Sequence, residues 1–327
     1  MKAIYLTPGP AGGVFEMREA EKPAPPAGGV VVRVRATGLN RGELLFVGNF
    51  RSDNPALKPQ PSGIEFAGEI AEIGAGVSGW RVGDRVMGRA PASYAEYVAA
   101  PAGQLMRAPE KLSWAELAAI PNVFVTAHDA IATAGALKPG ETVLVTAGAS
   151  GVGTASIRLA KFLKAGRVVA TTRKADKAAG LKALGADDVI DVSKPDWPDA
   201  VMALTDKKGA DLIVDSVGGP MLAGNVKALA LQGRLVSVGR NGGNTGDCDL
   251  DQVAFKRASI IGVTFRTRTP QEAVACAQRF ADDCLAALAD GRLKPALDKA
   301  FAFDKLAEAH AYMRSDGQIG KIVLTLD

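Results

Sequence analysis

A chain of 327 residues is long for one hydrophobic core, so two domains are expected. Apolar residues make up 47% and charged residues 23%, with no run of about 18 uninterrupted apolar residues, which speaks against a disordered chain and against a membrane span. The formal charge of +4 is dispersed apart from RKADK at 173–177, which speaks against a nucleic-acid footprint.

Met1 runs directly into KAIYLT, a strand-like start without the regions of a secretory signal, so a cytoplasmic location is expected. Residues 1–121 read as a mostly antiparallel β domain: KAIYL, VVVRVRATG, AGEIAEIG and RVGDRVMG are strands joined by Gly- and Pro-rich turns such as KPAPPAGG. SYAEYV at 93–98 has the alternation of a further strand, which favours packing over proton delivery for Tyr94 and Tyr97.

Residues 122–262 have a regular beat. Short β-rich runs stand at 143–146 (VLVT), 168–172 (VVATT), 187–192 (DDVIDV), 211–217 (DLIVDSV), 234–239 (RLVSVG) and 259–265 (SIIGVTF), spaced by helix-length stretches. Strands apolar on both faces, alternating with helices, predict a doubly wound parallel sheet of six strands, with Gly166 and Gly185 at helix ends. Residues 263–327 hold helices at about 270–290 and 303–314 and a closing strand, KIVLTL, that is expected to rejoin the first domain and make it discontinuous. Three cysteines make no CxxC pair and no four-thiolate zinc site; Cys276 and Cys284, eight apart on the first of these helices, read as one buried face.

The chemistry concentrates at VTAGASGVGTAS, 145–156. This turn follows the first strand of the series and opens its first helix, where backbone N–H groups and the positive end of the helix dipole favour a diphosphate. Gly148, Gly151 and Gly153 are spaced GxxGxG, a weak motif alone, and the strand-turn-helix context makes it a dinucleotide site.

The second strand selects the dinucleotide. Where an NAD site usually carries Asp or Glu, this chain has Thr171 and Thr172, then Arg173, Lys174 and, one turn on, Lys177. Guanidinium and ammonium groups suit a 2′-phosphate, so NADPH is the expected cofactor.

These motifs, together with GLNRGELL (38–45), GIEFAGEIAEIGAGVSGWRVGDRVMG (63–88), VDSVGG (214–219), FRTRT (265–269) and IGKIVLTL (319–326), make the chain resemble the zinc-independent quinone oxidoreductases of the medium-chain dehydrogenase/reductase superfamily. The resemblance runs nearly end to end. It implies a GroES-like β domain joined to a Rossmann domain, an active site in the cleft between them, and a homodimer paired through the edge strand at 259–265. It also implies that Thr126, Ser150, Gly151, Val152, Gly153, Thr172, Arg173, Lys177, Val217, Val238, Gly239, Phe265 and Arg266 line the cofactor, while Asn40 and Arg41 face the nicotinamide as candidate catalytic residues. Asn40 reads equally as the closure of an Asx turn, and Arg41 as a partner of Glu43 or Glu65.

Departures from related zinc enzymes matter. Asn40 and Ile64 stand where those enzymes place a metal-ligating Cys and His, and only Glu65 remains, so no metal is expected. A hydride donor without a Lewis acid suits an electrophilic small molecule, a quinone or an α,β-unsaturated carbonyl compound. An NADPH-binding protein with little or no turnover and a zinc-less carbonyl or alcohol oxidoreductase remain as alternatives. GASGV resembles a GxSxG nucleophile elbow, but Val152 replaces the last glycine. His128 reads as packed or capped and His310 as surface or boundary; the stretches 46–62 and 240–252 are expected to wall the substrate pocket.

Overall fold

The computed structural model describes residues 1–48, 50–54 and 56–326; Asn49 and Pro55, within the expected pocket wall at 46–62, lie outside them. The chain divides into two compact units. The first comprises residues 1–122, 270–291 and 297–327, and the second 123–269 and 292–296.

The second unit is a six-stranded sheet with every neighbour parallel. Its spatial order is Asp188–Asp191, Arg167–Thr172, Thr142–Val145, Ala210–Asp215, Leu229–Ser237, Ser259–Gly262. The chain therefore starts in the middle, winds to one edge and returns to build the other half, and the order reverses beside Thr142–Val145. In open α/β sheets a ligand sits at such a reversal, beyond the carboxyl ends of the strands. Strand residues are apolar on both faces because helices cover both: Leu144, Val169, Ile213 and Leu235 are almost fully buried, with Trp197 and Val201 of the helix Trp197–Leu204 packed into the same core.

The first unit is mostly antiparallel. Lys2–Thr7 pairs with Val14–Glu19 and with Gln60–Pro61 in a small sheet. In the larger sheet Gly29–Gly38 is the hub, pairing antiparallel with Glu65–Ile73, Tyr97–Pro101 and Lys321–Thr325. The last pairing sets Val323 against Gly38, so the closing strand does rejoin the first unit. Among the described strands of this unit, Leu297–Ala302 and Lys321–Thr325 are the pair that runs parallel. Val30, Val32, Val34, Phe66, Ile70, Val86 and Val98 form the core of this sheet.

Several local expectations need correcting. Gly166 is not the left-handed residue at its helix end: Lys164 takes φ 66°, and Gly166 is glycine because a Cβ there would stand 2.4 Å from the Gly140 carbonyl oxygen. SYAEYV becomes a strand only from Tyr97; Tyr94 precedes it, fully buried, its neighbour Ala95 making a single bridge to Ala3. His310 is not at the surface; it is 2% exposed. Cys276 and Cys284 are both buried on the helix Pro270–Asp290, and burial pushes the Cys284 thiol up to about 12. No helix among the described residues is long and apolar enough to cross a membrane.

Candidate functional site

In the second unit the glycine turn leaves Val145 and enters the helix Gly151–Phe162. Part of its need for small residues is internal. A Cβ at Gly153 would lie 2.3 Å from the Ala147 carbonyl oxygen, and one at Gly148 would meet the Ala170 Cβ at 3.0 Å. The helix start and the second strand thus press on the turn itself, and Ala147 takes φ 48° to make it, with its N–H on the Thr171 hydroxyl at 3.2 Å. Ser150 is the N-cap: its hydroxyl oxygen accepts from the Gly153 N–H at 3.0 Å. That leaves the hydroxyl proton of Ser150 to donate, beside the first-turn N–H groups of Gly151 and Val152, at a helix start whose dipole favours negative charge.

The second strand ends in Thr171 and Thr172, both buried. The Thr172 hydroxyl is engaged with the backbone of Lys174, donating to its carbonyl at 3.2 Å and accepting from its N–H at 3.1 Å. Arg173 follows, exposed, while Lys177 closes a short 3-10 turn and is only 7% exposed.

Across the reversal, a buried network that sequence reasoning missed fixes the loop after the fourth strand. Thr146 donates to Asp215 at 2.7 Å; the Asp215 carboxylate also accepts from the N–H of Val217 at 3.1 Å and of Gly218 at 2.9 Å. Burial raises the Asp215 carboxyl above its ordinary value against these hydrogen bonds. The Asp215 carbonyl in turn accepts from Val238 and Gly239, tying Val217, Val238 and Gly239 to one edge. Val192 packs against the core.

Beyond the sixth strand, Arg268 donates to the carboxylate of Asp129 at 2.5 Å and to the Thr264 carbonyl at 3.1 Å, with its guanidinium 5.0 Å from the centre of the Phe265 ring. Asp129 is 2% exposed, so this pair anchors the segment carrying Phe265 and Arg266. Thr126 is buried three residues before Asp129, and His128 is buried beside it.

The first unit carries a polar cluster inside an apolar surround. Lys321 donates to Glu65 Oε1 at 2.6 Å, to the Leu39 carbonyl at 2.5 Å and to Asn40 Oδ1 at 3.0 Å. Asn40 also donates to Glu65 Oε1 and accepts from the side chain of Asn122, each at 2.8 Å, and the Asn122 N–H reaches Glu65 Oε2 at 2.8 Å. Both lone pairs of Asn40 Oδ1 are thereby used, and its Nδ2 faces Gly38 and Glu43 at 3.4 Å besides Glu65. Arg41 pairs with neither Glu43 nor Glu65 but with Asp316 at 2.5 Å and the Met313 carbonyl at 2.7 Å. Tyr94 donates to Glu43. Burial pushes the Glu43 carboxyl up to about 7 despite lowering by Tyr94 and Lys321, and pushes the Tyr94 hydroxyl well above its usual range. Tyr97 sits on its strand with Lys22 Nζ 4.4 Å from its ring centre.

A Rossmann-type unit with a Ser-capped, small-residue helix start at its strand-order reversal, in one chain with a GroES-like β unit, marks the class of nicotinamide-dependent oxidoreductases. Two family models divide the chain accordingly: "Alcohol dehydrogenase GroES-like domain" matches residues 26–110 and "Zinc-binding dehydrogenase" residues 151–282. Human quinone oxidoreductase is 30% identical over 307 residues, covering 93% of this chain and 91% of the human protein. Among solved structures, an NAD-dependent alcohol dehydrogenase is 31% identical with a TM-score of 0.88, covering both chains completely. A mycobacterial protein solved in complex with NADPH is 26% identical, also with a TM-score of 0.88 over both full chains. The chain belongs to the medium-chain dehydrogenase/reductase superfamily, in its quinone oxidoreductase-like group.

One family description names zinc, and the residues here do not fit it. Both oxygens of Glu65 are engaged within the cluster, and the Lys321 ammonium already lies 2.6 Å from one of them, where it would repel a metal cation. Asn40 and Ile64 offer neither thiolate nor imidazole, and among the described residues no three His, Cys, Asp or Glu are grouped to hold a metal ion.

Proposed function

We propose that the protein is an NADPH-dependent reductase that, without a metal, transfers hydride to a quinone or to an α,β-unsaturated carbonyl compound. The observation that carries the cofactor choice is the end of the second strand. Neither threonine there is an acid that would repel a 2′-phosphate, the Thr172 hydroxyl is spent on the Lys174 backbone, and Arg173 is exposed directly after it. A solved relative holding NADPH supports the same choice.

NADPH, when bound, supplies the hydride. In this reading the chain's own residues bind and orient it: the N–H groups of Gly151 and Val152 and the Ser150 hydroxyl receive the diphosphate, Arg173 and Lys177 the 2′-phosphate, and Thr126, Thr172, Val217, Val238, Gly239, Phe265 and Arg266 line the remainder. Asn40, whose side-chain oxygen is used by Lys321 and Asn122, and Arg41, held by Asp316 and the Met313 carbonyl, are read as positioning residues rather than as direct donors to substrate. The Glu43–Tyr94 pair offers a half-buried carboxyl that exchanges protons near neutrality, suited to balancing the proton that reduction of either acceptor consumes.

A second cofactor reading rests on the relative described as NAD-dependent, with the exposed Asp176 as the acid that would serve a ribose hydroxyl. Steady-state oxidation of NADPH and of NADH with a panel of quinones and enones, with and without chelator, decides. The proposal expects turnover with NADPH that chelator leaves unchanged; turnover with NADH alone favours the second reading, and no turnover with any acceptor defeats the reductase assignment. A cytoplasmic setting accompanies the proposal.

A further inference from the structure

Beyond the carboxyl end of the strand Leu229–Ser237, Val238 and Gly239 lead into a loop that is fastened to the one after the fourth strand. The Gly242 N–H donates to the Val217 carbonyl at 2.8 Å, the Gly219 N–H to the Gly243 carbonyl at 3.0 Å, and Asn241 Nδ2 to the Ser216 carbonyl at 3.2 Å. Arg240 opens this loop, its carbonyl closing a turn by accepting from the Gly243 N–H at 3.1 Å. The side-chain stem lies against Gly218: a Cβ on that glycine would stand 3.0 Å from the Arg240 Cα and 3.2 Å from its Cγ. The guanidinium is thus carried on a fixed base.

Arg240 is half-buried, and among the described residues its guanidinium has no acceptor and no ion-pair partner. Two other half-buried arginines of this unit are already spent: Arg234, on the same strand, pairs with Glu141 at 2.7 Å, and Arg268 pairs with Asp129. From Ser216 to Gly246 the chain has no acidic residue. The acids of the loop come at its far end, where Asp249 caps the helix Leu250–Lys256 and Asp247 is exposed. A partly desolvated cation is stabilised by an anion, and the chain supplies none here. In the proposed function the cofactor does not supply one either. Its adenosine phosphate is assigned to Arg173 on the second strand and its diphosphate to the helix start at Ser150, which leaves the second half of the sheet to the nicotinamide. A reduced nicotinamide is neutral and an oxidised one cationic, so neither draws a guanidinium.

We propose that Arg240 receives a carboxylate of the acceptor, so that the preferred substrates are quinones or enones bearing a remote carboxylate. This rests on the reductase reading and narrows its substrate class. A planar guanidinium takes a carboxylate through two parallel hydrogen bonds, which a neutral acceptor cannot match. The carboxylate itself does not react. The β-carbon of an enone gains the hydride from the reduced nicotinamide, its α-carbon gains a proton from water, and the nucleotide leaves oxidised.

The test compares (E)-8-oxonon-6-enoate with its methyl ester, which share one enone and differ in one charge. Each is titrated calorimetrically into the full chain loaded with NADP+, and each is assayed with NADPH. The acid is expected to bind roughly ten- to a hundred-fold tighter than the ester, the worth of a charge-assisted pair, with the difference appearing in KM rather than kcat. Arg240→Met should erase the acid preference, Arg240→Lys should keep part of it, and both variants should bind NADPH as the wild type does. Failure of the acid to bind, equal binding of acid and ester by the wild type, or an acid preference that survives Arg240→Met would overturn the proposal. So would an Arg240→Met variant that loses as much affinity for NADPH as for the acid, which would assign the guanidinium to the cofactor. Reduction of both acceptors at equal KM would sink this inference alone and leave the reductase standing. An Arg240-dependent acid preference without turnover would uphold the anion site and defeat the reductase reading.

Discussion

Lys321 and Glu65 form an ion pair at 2.6 Å whose side chains are 4% and 0% exposed, although 256 residues separate them. The pair closes the first unit, because Lys321 arrives on the last strand and Glu65 on the strand after the first long turn. Removing one member leaves a buried charge alone. Lys321→Met is expected to cost about 3–5 kcal/mol in urea unfolding, and the double variant Lys321→Met with Glu65→Leu clearly less than the sum of the single changes. Strict additivity would contradict the coupling.

Glu43 makes stability fall as pH rises. Its carboxyl titrates at about 7 in the folded protein against an ordinary 4.5, so between these values the folded state keeps a proton that the unfolded chain has lost. Its stabilising contribution is full below the lower value and is lost as pH rises through the upper one, by on the order of 3 kcal/mol at most. Glu43→Gln should flatten this part of the profile between pH 5 and pH 8, and Tyr94→Phe, which removes a donor to the carboxylate, should raise the Glu43 midpoint further. A wild-type slope in the Glu43→Gln variant would defeat this account.

His310 acts in the opposite sense. The folded ring titrates at about 4 rather than 6.5, so as pH falls through that window the unfolded chain takes up a proton that the folded protein refuses. Stability drops on acidification, again by on the order of 3 kcal/mol. His310→Leu should lose less stability than the wild type between pH 7 and pH 4.5; an unchanged acid slope would show that the ring charges freely in the folded protein.

What could be read from the chain was local. The βαβ beat was legible because each strand is a short apolar run and each helix has its own period, and the glycine turn because strand, turn and helix are contiguous. The pairs that fix the sites were not: Thr146 and Asp215 are 69 residues apart, Asp129 and Arg268 139, and no pattern in a window reaches that far. Gly166 and Tyr94 misled for a related reason. A Cβ at Gly166 would clash with Gly140, which comes from another turn, and Tyr94 is held by Glu43 of a distant helix, so neither follows its local pattern. His310 lies on a short helix between Glu308 and Arg314, and the ring that packs on it, Phe15, comes from the first hairpin at the other end of the chain.

The outer strand Ser259–Gly262 leaves one edge of the parallel sheet unpaired within the described chain, with Ile260 47% exposed and Phe255 of the preceding helix 81% exposed. We propose that a second copy pairs there, since an open apolar edge invites another strand. Light scattering should give twice the chain mass of 33.8 kDa, and Ile260→Lys combined with Phe255→Lys should return the monomer. A monomeric wild-type protein would contradict the pairing.

Calorimetric titration of the wild-type protein and of Arg173→Ala with NADPH and NADH tests the cofactor assignment most directly. NADPH should bind more tightly than NADH, and Arg173→Ala should weaken NADPH by roughly ten- to a hundred-fold, the worth of a charge-assisted hydrogen bond, while leaving NADH unchanged. Preference for NADH, or an Arg173→Ala variant that binds NADPH as the wild type does, would contradict the account.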